Sequence, residues 1–258
     1  MCLAWLDGSA KNLRINNMSL KISNLKITVE NKEIVHGLSL EVKTGEVHVI
    51  MGPNGSGKST LVNTLAGHPK YTVTEGSIEV DSNDITAAKP EDRAKAGLFL
   101  SPQYPPEIAG VSIANFLRLA VGARRGVNLN PLEFYKEIKE AMKKLDIDES
   151  FAKRSLNSGF SGGEKKRAEI LQLALLEPKY ALLDETDSGL DVDALRIVGQ
   201  GISNFQNSER GILLITHYAR LLEYIKPTHV HIMRDGLIIK SGGPELAQEI
   251  ETSGYTNV

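Results

Sequence analysis

Cysteine is almost absent from this chain: Cys2 is the single cysteine among 258 residues. One thiol cannot form an intrachain disulfide, and by itself it cannot hold an iron–sulfur cluster or a cysteine-rich zinc site. Such low cysteine usage is typical of proteins that work in reducing compartments. We therefore expect a cytoplasmic protein, or one from an organelle stroma if the source is eukaryotic.

Long hydrophobic runs are missing as well. No apolar stretch approaches the roughly 18–20 residues that cross a bilayer, so we expect no direct membrane insertion. Residues 1–17 lack the basic start and the apolar centre of a signal peptide. We interpret residues 1–17 as a disordered or artificial tail and residues 18–258 as one folded domain.

The chain also lacks an excess of charge of one sign. The 30 Lys and Arg residues nearly balance the 32 Asp and Glu residues, which gives a formal net charge of −2, and no long basic tract occurs. The chain thus lacks the electrostatic footprint of a nucleic-acid-binding protein, and we expect no nucleic-acid partner. A hydrophobic share of 41% beside 24% charged residues indicates a globular domain with a well-packed core.

What the chain does contain is an alternation of strand and helix patterns. A β-branched run at residues 46–51 precedes a helical pattern at 59–67. Further strand-like runs at 180–184, 211–216 and 229–233 are separated by helical stretches. This alternation predicts an α/β fold built from parallel βαβ units.

Between about residues 104 and 176 the pattern becomes mostly helical. Residues 164–176 form one amphipathic pattern, and residues 133–145 form another. The apolar face of the latter contains Phe134, Ile138, Ala141, Met142 and Leu145. We predict a helical subdomain over this part of the chain.

The stretch GPNGSGKST fits the pattern G-x-x-x-x-G-K-[ST] and lies between a strand pattern and a helix pattern. Its glycines can turn backbone N–H groups toward phosphate oxygens. Lys58 adds positive charge at the β- and γ-phosphates, and the hydroxyl of Ser59 can bind Mg²⁺. We predict that the whole stretch binds the phosphates of a nucleoside triphosphate: Gly52, Pro53, Asn54, Gly55, Ser56, Gly57, Lys58, Ser59 and Thr60.

Two acids follow the buried-strand pattern YALLD. Asp184 ends this pattern, which is the position of a second Mg²⁺ ligand in P-loop proteins. Glu185 follows directly and can act as the base for an attacking water. The alternative interpretation is a solvated acidic turn, because many charge runs only coat a surface.

The stretch FSGGEKKR combines a helix start with glycine. Ser161 and Glu164 form a capping box before an amphipathic helix. Gly162 and Gly163 lie in the first turn, where helix propensity opposes them. We infer that another group approaches this backbone closely, since a helix N-terminus is also an anion-binding site. The alternative is a well-capped helix without further function.

Six motifs resemble the ABC-type ATPase domain in order and spacing over roughly residues 18–250: GPNGSGKST, LSPQYPP, FSGGE, LLDE, SGLD and LLITHY. The resemblance implies a P-loop core, an antiparallel β subdomain and a helical subdomain. It also implies a transient head-to-tail dimer that closes on ATP and Mg²⁺. Each ATP then lies between the P-loop of one copy and the signature residues of the other copy, which are Ser161, Gly162, Gly163 and Glu164.

The same resemblance implies the remaining roles. Gln103 contacts Mg²⁺ and the attacking water, and His217 contacts the γ-phosphate. The loop that crosses the dimer interface contains Ser188, Gly189, Leu190 and Asp191. The predicted catalytic residues are thus Glu185, His217 and Gln103.

Longer stretches, above all SPQYPPEIAGVS and DETDSGLDVDAL, look like the SufC subfamily, the ATPases of iron–sulfur cluster assembly. This implies SufB and SufD scaffold proteins as partners, bound near Gln103 on the helical subdomain. Two alternatives stay open from the residues. The chain could be the ATPase subunit of an ABC membrane transporter, or a P-loop module without catalysis, although the latter has no need of Glu185 or His217.

Three features fall outside these assignments. Val29 occupies the region where ABC ATPases carry an adenine-stacking aromatic, so the preference for ATP over GTP is open. Asp187 replaces the usual Thr. It is either a solvated turn residue or a negative charge that affects Glu185 through like-charge repulsion. His229 and His231 share one face of a strand, a spacing that suits a metal but more often arises by chance. The Asp235-Gly236 pair that follows predicts a tight hairpin turn.

Overall fold

The computed structural model describes residues 18–217 and 219–255. The predicted tail at residues 1–17 lies outside the described residues. No helix within the described ranges has the length and apolar character needed to cross a membrane.

An antiparallel sheet forms the amino-terminal part of the fold. Its strands are β1 (Ser19–Val29), β2 (Lys32–Lys43), β4 (Tyr71–Val80) and β5 (Asn83–Asp84), in the order β2-β1-β4-β5. Leu20 and Ile22 of β1 are buried while Lys21 is exposed, because successive side chains of a strand point to opposite faces. Leu25 is buried as well, since the pairing register with β2 shifts between Ile22 and Leu25. This sheet is the antiparallel β subdomain that the resemblance implied.

A second sheet of six strands carries the candidate site. Its strands are β3 (Val47–Met51), β6 (Leu98–Ser101), β9 (Tyr180–Asp184), β10 (Gly211–Ile215), β11 (His229–Arg234) and β12 (Leu237–Gly242). Their order is β12-β11-β3-β10-β9-β6, and only the β11–β12 pair is antiparallel. The hairpin turn predicted at Asp235-Gly236 is confirmed, since both residues have positive φ, 46° and 75°.

The central strand β3 is buried on both faces, which explains its continuous apolar run. Val47, Val49 and Met51 pack into a core shared with the helices on one side. Ile50 packs into a second core against the antiparallel sheet on the other side. A parallel sheet covered on both faces is the arrangement that such a run predicts.

Seven α-helices lie among the described residues. They are α1 (Lys58–Leu65), α2 (Pro90–Lys95), α3 (Ile113–Arg125), α4 (Pro131–Lys144), α5 (Gly162–Leu176), α6 (Val192–Phe205) and α7 (Glu245–Ser253), and short 3₁₀ turns cover Glu149–Lys153 and Ala219–Glu223. The helical face predicted for residues 133–145 is confirmed, because Phe134, Ile138 and Met142 are buried. Helix α4 begins two residues earlier than predicted, since Asn130 caps it and Pro131 fits its first turn.

The segment predicted as a helical subdomain contains α3, α4 and α5. It also contains a small antiparallel pair, β7 (Ile108–Ser112) with β8 (Ser155–Leu156), which the sequence patterns did not indicate. The separation of this segment as a subdomain with bounds near 104 and 176 stays a prediction.

A row of histidines crosses three neighbouring strands. His48 of β3 pairs in register with His229 of β11, and His231 of β11 pairs with Ser241 of β12. His48 is 3% exposed and His231 is 6% exposed. Burial lowers the pKa of His48 and lowers the pKa of His231 to about 4, so both rings are neutral near pH 7.

Candidate nucleotide-binding and hydrolysis site

The P-loop follows β3 and leads into α1, as the sequence predicted. A Cβ atom on Gly52 would lie 2.0 Å from the carbonyl oxygen of Met233, so no side chain fits there. Gly57 caps α1 with φ of 102°, a backbone conformation that favours glycine. The amino end of α1 therefore points its N–H groups into the loop, where an anion binds well.

Lys58 lies folded over the loop. Its Nζ donates hydrogen bonds to the carbonyl oxygens of Gly52 at 2.8 Å and Pro53 at 2.9 Å. Burial is the main cause that lowers the pKa of Lys58, and the charges of Glu185 and Asp184 oppose this effect. The ammonium group is thus held at the loop by carbonyl oxygens, which phosphate oxygens can replace.

The P-loop opens onto a cleft of about 640 Å³. The described residues that line it are Ile34, Asn54, Gly55, Gly57, Lys58, Ser59, Thr60, Gln103, Glu185, Asp187, Ser188 and His217. None of these is Phe, Tyr or Trp, which agrees with the missing adenine-stacking aromatic. The aliphatic residue at the cleft is Ile34, whose carbonyl oxygen and Cγ2 lie close to Gly57, and Val29 is not among the lining residues.

Asp184 and Ser59 meet at the base of the cleft. The Ser59 hydroxyl donates to Asp184 Oδ1 at 3.2 Å, whereas Asp184 Oδ2 is buried without a hydrogen-bond partner. Burial is the main cause that raises the pKa of Asp184 to about 6. A buried carboxylate oxygen without a partner is unfavourable unless a cation satisfies it. The two side chains therefore fit a hard divalent ion such as Mg²⁺, which prefers oxygen ligands.

We expect Asp184→Asn to stabilise the nucleotide-free chain and to abolish its stabilisation by ATP with Mg²⁺. A carboxyl whose pKa is higher in the folded state disfavours folding once the pH exceeds the unfolded value of 3.8, and it does so fully above about 6. Removing the charge should therefore raise the free energy of unfolding by roughly 1–3 kcal/mol at pH 7.5 and by little at pH 4. Denaturant unfolding at both pH values measures this.

The control for this substitution is Asp193→Asn, because the Asp193 side chain is 83% exposed. This control should change neither the unfolding free energy nor the response to Mg²⁺. A nucleotide-free Asp184→Asn chain that is less stable than the parent at pH 7.5 would contradict the unpaired carboxylate.

Three residues predicted to be catalytic lie together. One oxygen of the Glu185 carboxylate accepts a hydrogen bond from Gln103 Nε2, and the other lies 2.9 Å from His217 Nε2. Glu185 has φ of 48°, which is uncommon for a residue with a side chain and is typical of functional sites. The structure thus brings Glu185, Gln103 and His217 to one wall of the cleft, and it excludes a purely solvated acidic turn at this point.

Asp187 is not a solvated turn residue, so that interpretation was wrong. It is 6% exposed, and its carboxylate accepts a hydrogen bond from the hydroxyl of Thr216 at the end of β10. Burial is the main cause that raises the pKa of Asp187, and the charge of Glu185 is the smallest contribution. The contact ties the turn after β9 to the end of β10 beside His217.

The FSGGE stretch forms the capped helix start that was predicted. Ser161 Oγ accepts from the Glu164 N–H at 3.3 Å, and Glu164 Oε2 accepts from the Ser161 N–H at 2.7 Å. None of the described residues crowds the two glycines: a Cβ on Gly162 would meet Gly189 O at 4.0 Å, and one on Gly163 would meet Ala194 Cβ at 3.4 Å. A close approach within residues 18–217 and 219–255 therefore does not explain why glycine occupies both positions.

The SGLD stretch lies on the surface beside this helix start. Ser188 and Gly189 are exposed and Leu190 is half-buried. Asp191 caps α6, since its Oδ1 accepts from the Ala194 N–H at 2.7 Å. This cap gives Asp191 a structural contact that the sequence motif did not predict, while its predicted position at a dimer interface stays a prediction.

Two groups of hydrogen bonds near the site were not predicted from the sequence. Tyr255 accepts a hydrogen bond at its hydroxyl from the Gly52 N–H at 3.2 Å. The buried Glu169 of α5 accepts from Ser101 at 2.6 Å and from Lys166 at 3.1 Å, and Lys166 also donates to the carbonyl oxygen of Pro102. The contacts of Glu169 and Lys166 join α5, which we call the signature helix because it begins at the signature residues, to the segment that contains Gln103. No local sequence pattern predicts these contacts.

Comparison with known proteins shows to which family the chain belongs. The family model of the ABC transporter matches residues 35–188. The chain belongs to the ABC transporter family. It is 54% identical over 240 residues to the "Probable ATP-dependent transporter ycf16" of Cyanophora paradoxa, which covers 92% of this chain and 93% of that protein. It is 53% identical over 239 residues to "Vegetative protein 296" of Bacillus subtilis, with 92% of each chain covered.

Solved structures show the same fold. A dimeric structure of a bacterial ABC transporter cassette superposes with a TM-score of 0.76 at 21% identity, covering 87% of this chain and 98% of the cassette. An ATP-bound bacterial Atm1-family ABC exporter gives a TM-score of 0.72 at 22% identity, covering 93% of this chain and 41% of the exporter. The ABC ATPase fold predicted from the sequence is confirmed, and this ABC family member binds and hydrolyses ATP.

Proposed function

We propose that this ABC ATPase is the ATP-hydrolysing subunit of a SUF-type system for iron–sulfur cluster assembly. The observation that carries hydrolysis is the Glu185 carboxylate held between Gln103 and His217 beside the P-loop. The assignment to the subfamily of iron–sulfur cluster assembly ATPases rests on the resemblance to SufC. Asp187 supports it, because this residue stands where many transport ATPases have Thr and is built into the fold through Thr216.

In the proposed reaction, residues of this chain position ATP and a water. The P-loop amides and Lys58 bind the phosphates and hold the γ-phosphorus at the carboxyl ends of β3 and β9. Glu185 accepts a proton from the water, while Gln103 orients the water and His217 donates a hydrogen bond to the γ-phosphate. A carboxylate accepts several hydrogen bonds, so Glu185 can contact the water while Gln103 and His217 turn toward the water and the γ-phosphate.

Ser59, Asp184 and Gln103 would hold Mg²⁺, which neutralises charge on the β- and γ-phosphates when it is bound. The buried Oδ2 of Asp184 supports this assignment. Ser59 and Asp184 are already in contact, so little rearrangement of these two side chains is required.

We further propose that two copies close head to tail around ATP. The described residues leave Gly162 and Gly163 uncrowded, so there is room for a group from a second copy to approach this backbone. The phosphates of a nucleotide on a second copy fit this helix start, whose N–H groups favour an anion. The isolated chain is then mostly monomeric and hydrolyses ATP slowly, because one copy builds only half of each site.

The proposed scaffold partners are SufB and SufD, in the cytoplasm or an organelle stroma. The surface next to Gln103 supports docking there, since Tyr104 is 84% exposed and strand β7 behind it is largely exposed. The second candidate is the ATPase subunit of a membrane transporter, which the name of the Cyanophora paradoxa relative, a probable ATP-dependent transporter, favours. The two candidates share the chemistry and differ in the partner.

We expect the chain to form a soluble complex when it is co-expressed with SufB and SufD, and Tyr104→Ala to weaken that complex by about tenfold through loss of a large apolar contact. Leu132→Ala is the matched control, because Leu132 is also a large apolar residue with 78% exposure and lies in α4 instead of next to Gln103 in the sequence. Co-purification and the Kd from calorimetry measure the effect. Recovery of the chain with a transmembrane subunit, and not with SufB and SufD, would support the transporter candidate instead.

A further inference from the structure

A cluster of side chains that can bind a metal lies at the amino ends of β3 and β11, at the opposite end of β3 from the P-loop. One ring nitrogen each of His48 and His229 and a carboxylate oxygen of Glu46 lie within 4.8 Å of one another. Glu46 precedes β3, His48 is the second residue of β3, and His229 begins β11. We propose that Glu46, His48 and His229 form a binding site for a divalent first-row transition metal ion of the Zn²⁺ type.

The hydrogen bonds of His229 leave the correct nitrogen for a metal. The Thr228 hydroxyl accepts from the Val47 N–H and donates to the Val47 carbonyl oxygen, both at 3.0 Å. With its single proton used there, its contact with His229 Nδ1 at 2.9 Å is satisfied when Nδ1 donates. In that tautomer His229 Nε2 carries a lone pair for a metal.

His48 belongs to a relay that supports a metal in the same way. His48 Nδ1 lies 3.0 Å from His231 Nε2, and His231 Nδ1 lies 2.8 Å from Ser241 Oγ. When each Nδ1–H donates along this relay, the lone pair of His48 Nε2 faces Glu46 Oε2 at 3.0 Å. Two acceptors at this distance need a cation between them. Without a metal the relay runs in the opposite direction and His48 Nε2–H donates a hydrogen bond to Glu46, so metal binding switches the tautomers of His48 and His231 without a net loss of protons.

The ligand set selects the class of ion. Two imidazoles and one carboxylate suit Zn²⁺ and its neighbours in the first transition row, whereas Mg²⁺ prefers oxygen ligands. The hydrogen bonds from His48 to His231 and from His231 to Ser241 fix the orientation of the His48 ring. Metal-bound histidines commonly have such a hydrogen-bond partner at the other ring nitrogen. Three protein ligands leave a fourth position for water, and Glu46 and His229 are partly exposed, so an ion can enter.

The geometry needs only a small adjustment to close around an ion. Ligand atoms of a tetrahedral zinc ion lie about 3.3 Å apart, since each bond is about 2.0–2.1 Å long. The stacked rings of His48 and His229 have centroids 4.3 Å apart, and rotation of the partly exposed His229 ring and Glu46 carboxylate can bring the ligands to this spacing. The ion would then join the turn before β3 to β3 and β11, separately from the nucleotide site at the other end of β3.

The test is metal binding by the full chain, purified without an affinity tag and stripped with a chelator. We expect one Zn²⁺ per chain by calorimetry, and Co²⁺ should produce the visible absorption bands of a tetrahedral site. Zn²⁺ should also raise the melting temperature, because an ion that binds only the folded state stabilises it. Millimolar Mg²⁺ should not compete.

His229→Ala should weaken Zn²⁺ binding by more than about 10-fold and remove the tetrahedral Co²⁺ bands, while ATP turnover stays unchanged. Glu46→Gln should act in the same direction. The matched control is His68→Ala, because His68 is exposed and is not one of the three clustered side chains. Equal Zn²⁺ affinity in parent and His229→Ala chains, or no Zn²⁺ binding by the parent, would overturn the proposal. Circular dichroism of each variant verifies that it is folded, and the Co²⁺ spectrum of the parent chain tests the site without any substitution.

Discussion

Glu185→Gln should lower ATP turnover by about 100- to 10,000-fold and leave ATP binding nearly unchanged. This range is the usual contribution of a general base, which the amide of glutamine cannot replace. The amide can still contact Gln103 and His217, which now hold both carboxylate oxygens, so the cleft keeps its shape. Single-turnover hydrolysis and a separate binding titration with a fluorescent ATP analogue distinguish the two effects.

The control for the loss of a carboxylate is Glu209→Gln on the exposed turn before β10. It makes the same chemical change away from the cleft and should leave turnover and binding unchanged. Turnover within about twofold of the parent in Glu185→Gln would refute Glu185 as the base, whereas a loss of ATP binding would indicate that this side chain mainly supports the cleft.

Gly163→Ala should lower turnover by about 10- to 100-fold at saturating ATP without lowering the stability of the chain. Gly163 lies in the first turn of α5, where alanine is favoured over glycine by roughly 0.5–1 kcal/mol. The added methyl group would meet Ala194 Cβ at 3.4 Å, an ordinary contact. If a nucleotide on a second copy binds against this backbone, the methyl group keeps it away from the N–H groups.

Gly242→Ala is a closely matched control. The added methyl group would also lie 3.4 Å from its nearest neighbour, Leu246 Cβ, and Gly242 ends β12, where the atoms within 4 Å all belong to Leu246. We expect both variants to show melting temperatures similar to that of the parent chain, and only Gly163→Ala to lose turnover. Unchanged turnover in a folded Gly163→Ala chain would mean that no group approaches this helix start during catalysis.

Local patterns were sufficient for the elements that carry the site. The P-loop, the strands before it and before Glu185, and the capped start of α5 each depend on residues a few positions apart, and the structure has them where the sequence predicted. The prediction that Asp184, Glu185, Gln103 and His217 meet needed more than local pattern. It came from the resemblance, since parallel strands alone place only their carboxyl ends at one edge of the sheet.

The contacts that were missed join residues far apart in the chain. Asp187 is buried where the hydroxyl of Thr216, just after β10, donates a hydrogen bond to its carboxylate, and the Gly52 N–H donates to the hydroxyl of Tyr255 near the end of the described chain. Ile34 rather than Val29 reaches the cleft because β2, not the end of β1, passes beside Gly57. Charge and hydropathy patterns contain no information on such pairings, which depend on how the two sheets pack.

The central claim is that each ATP site is completed by the signature helix of a second copy. The direct measurement is turnover in a mixture of Glu185→Gln and Gly163→Ala chains, each almost inactive by itself. In a mixed dimer one site combines an intact P-loop and Glu185 with an intact signature helix. Equal mixing should therefore restore up to about a quarter of the parent activity, because about half of the dimers are mixed and each has one complete site. A mixture no more active than the sum of its two components would contradict the shared site.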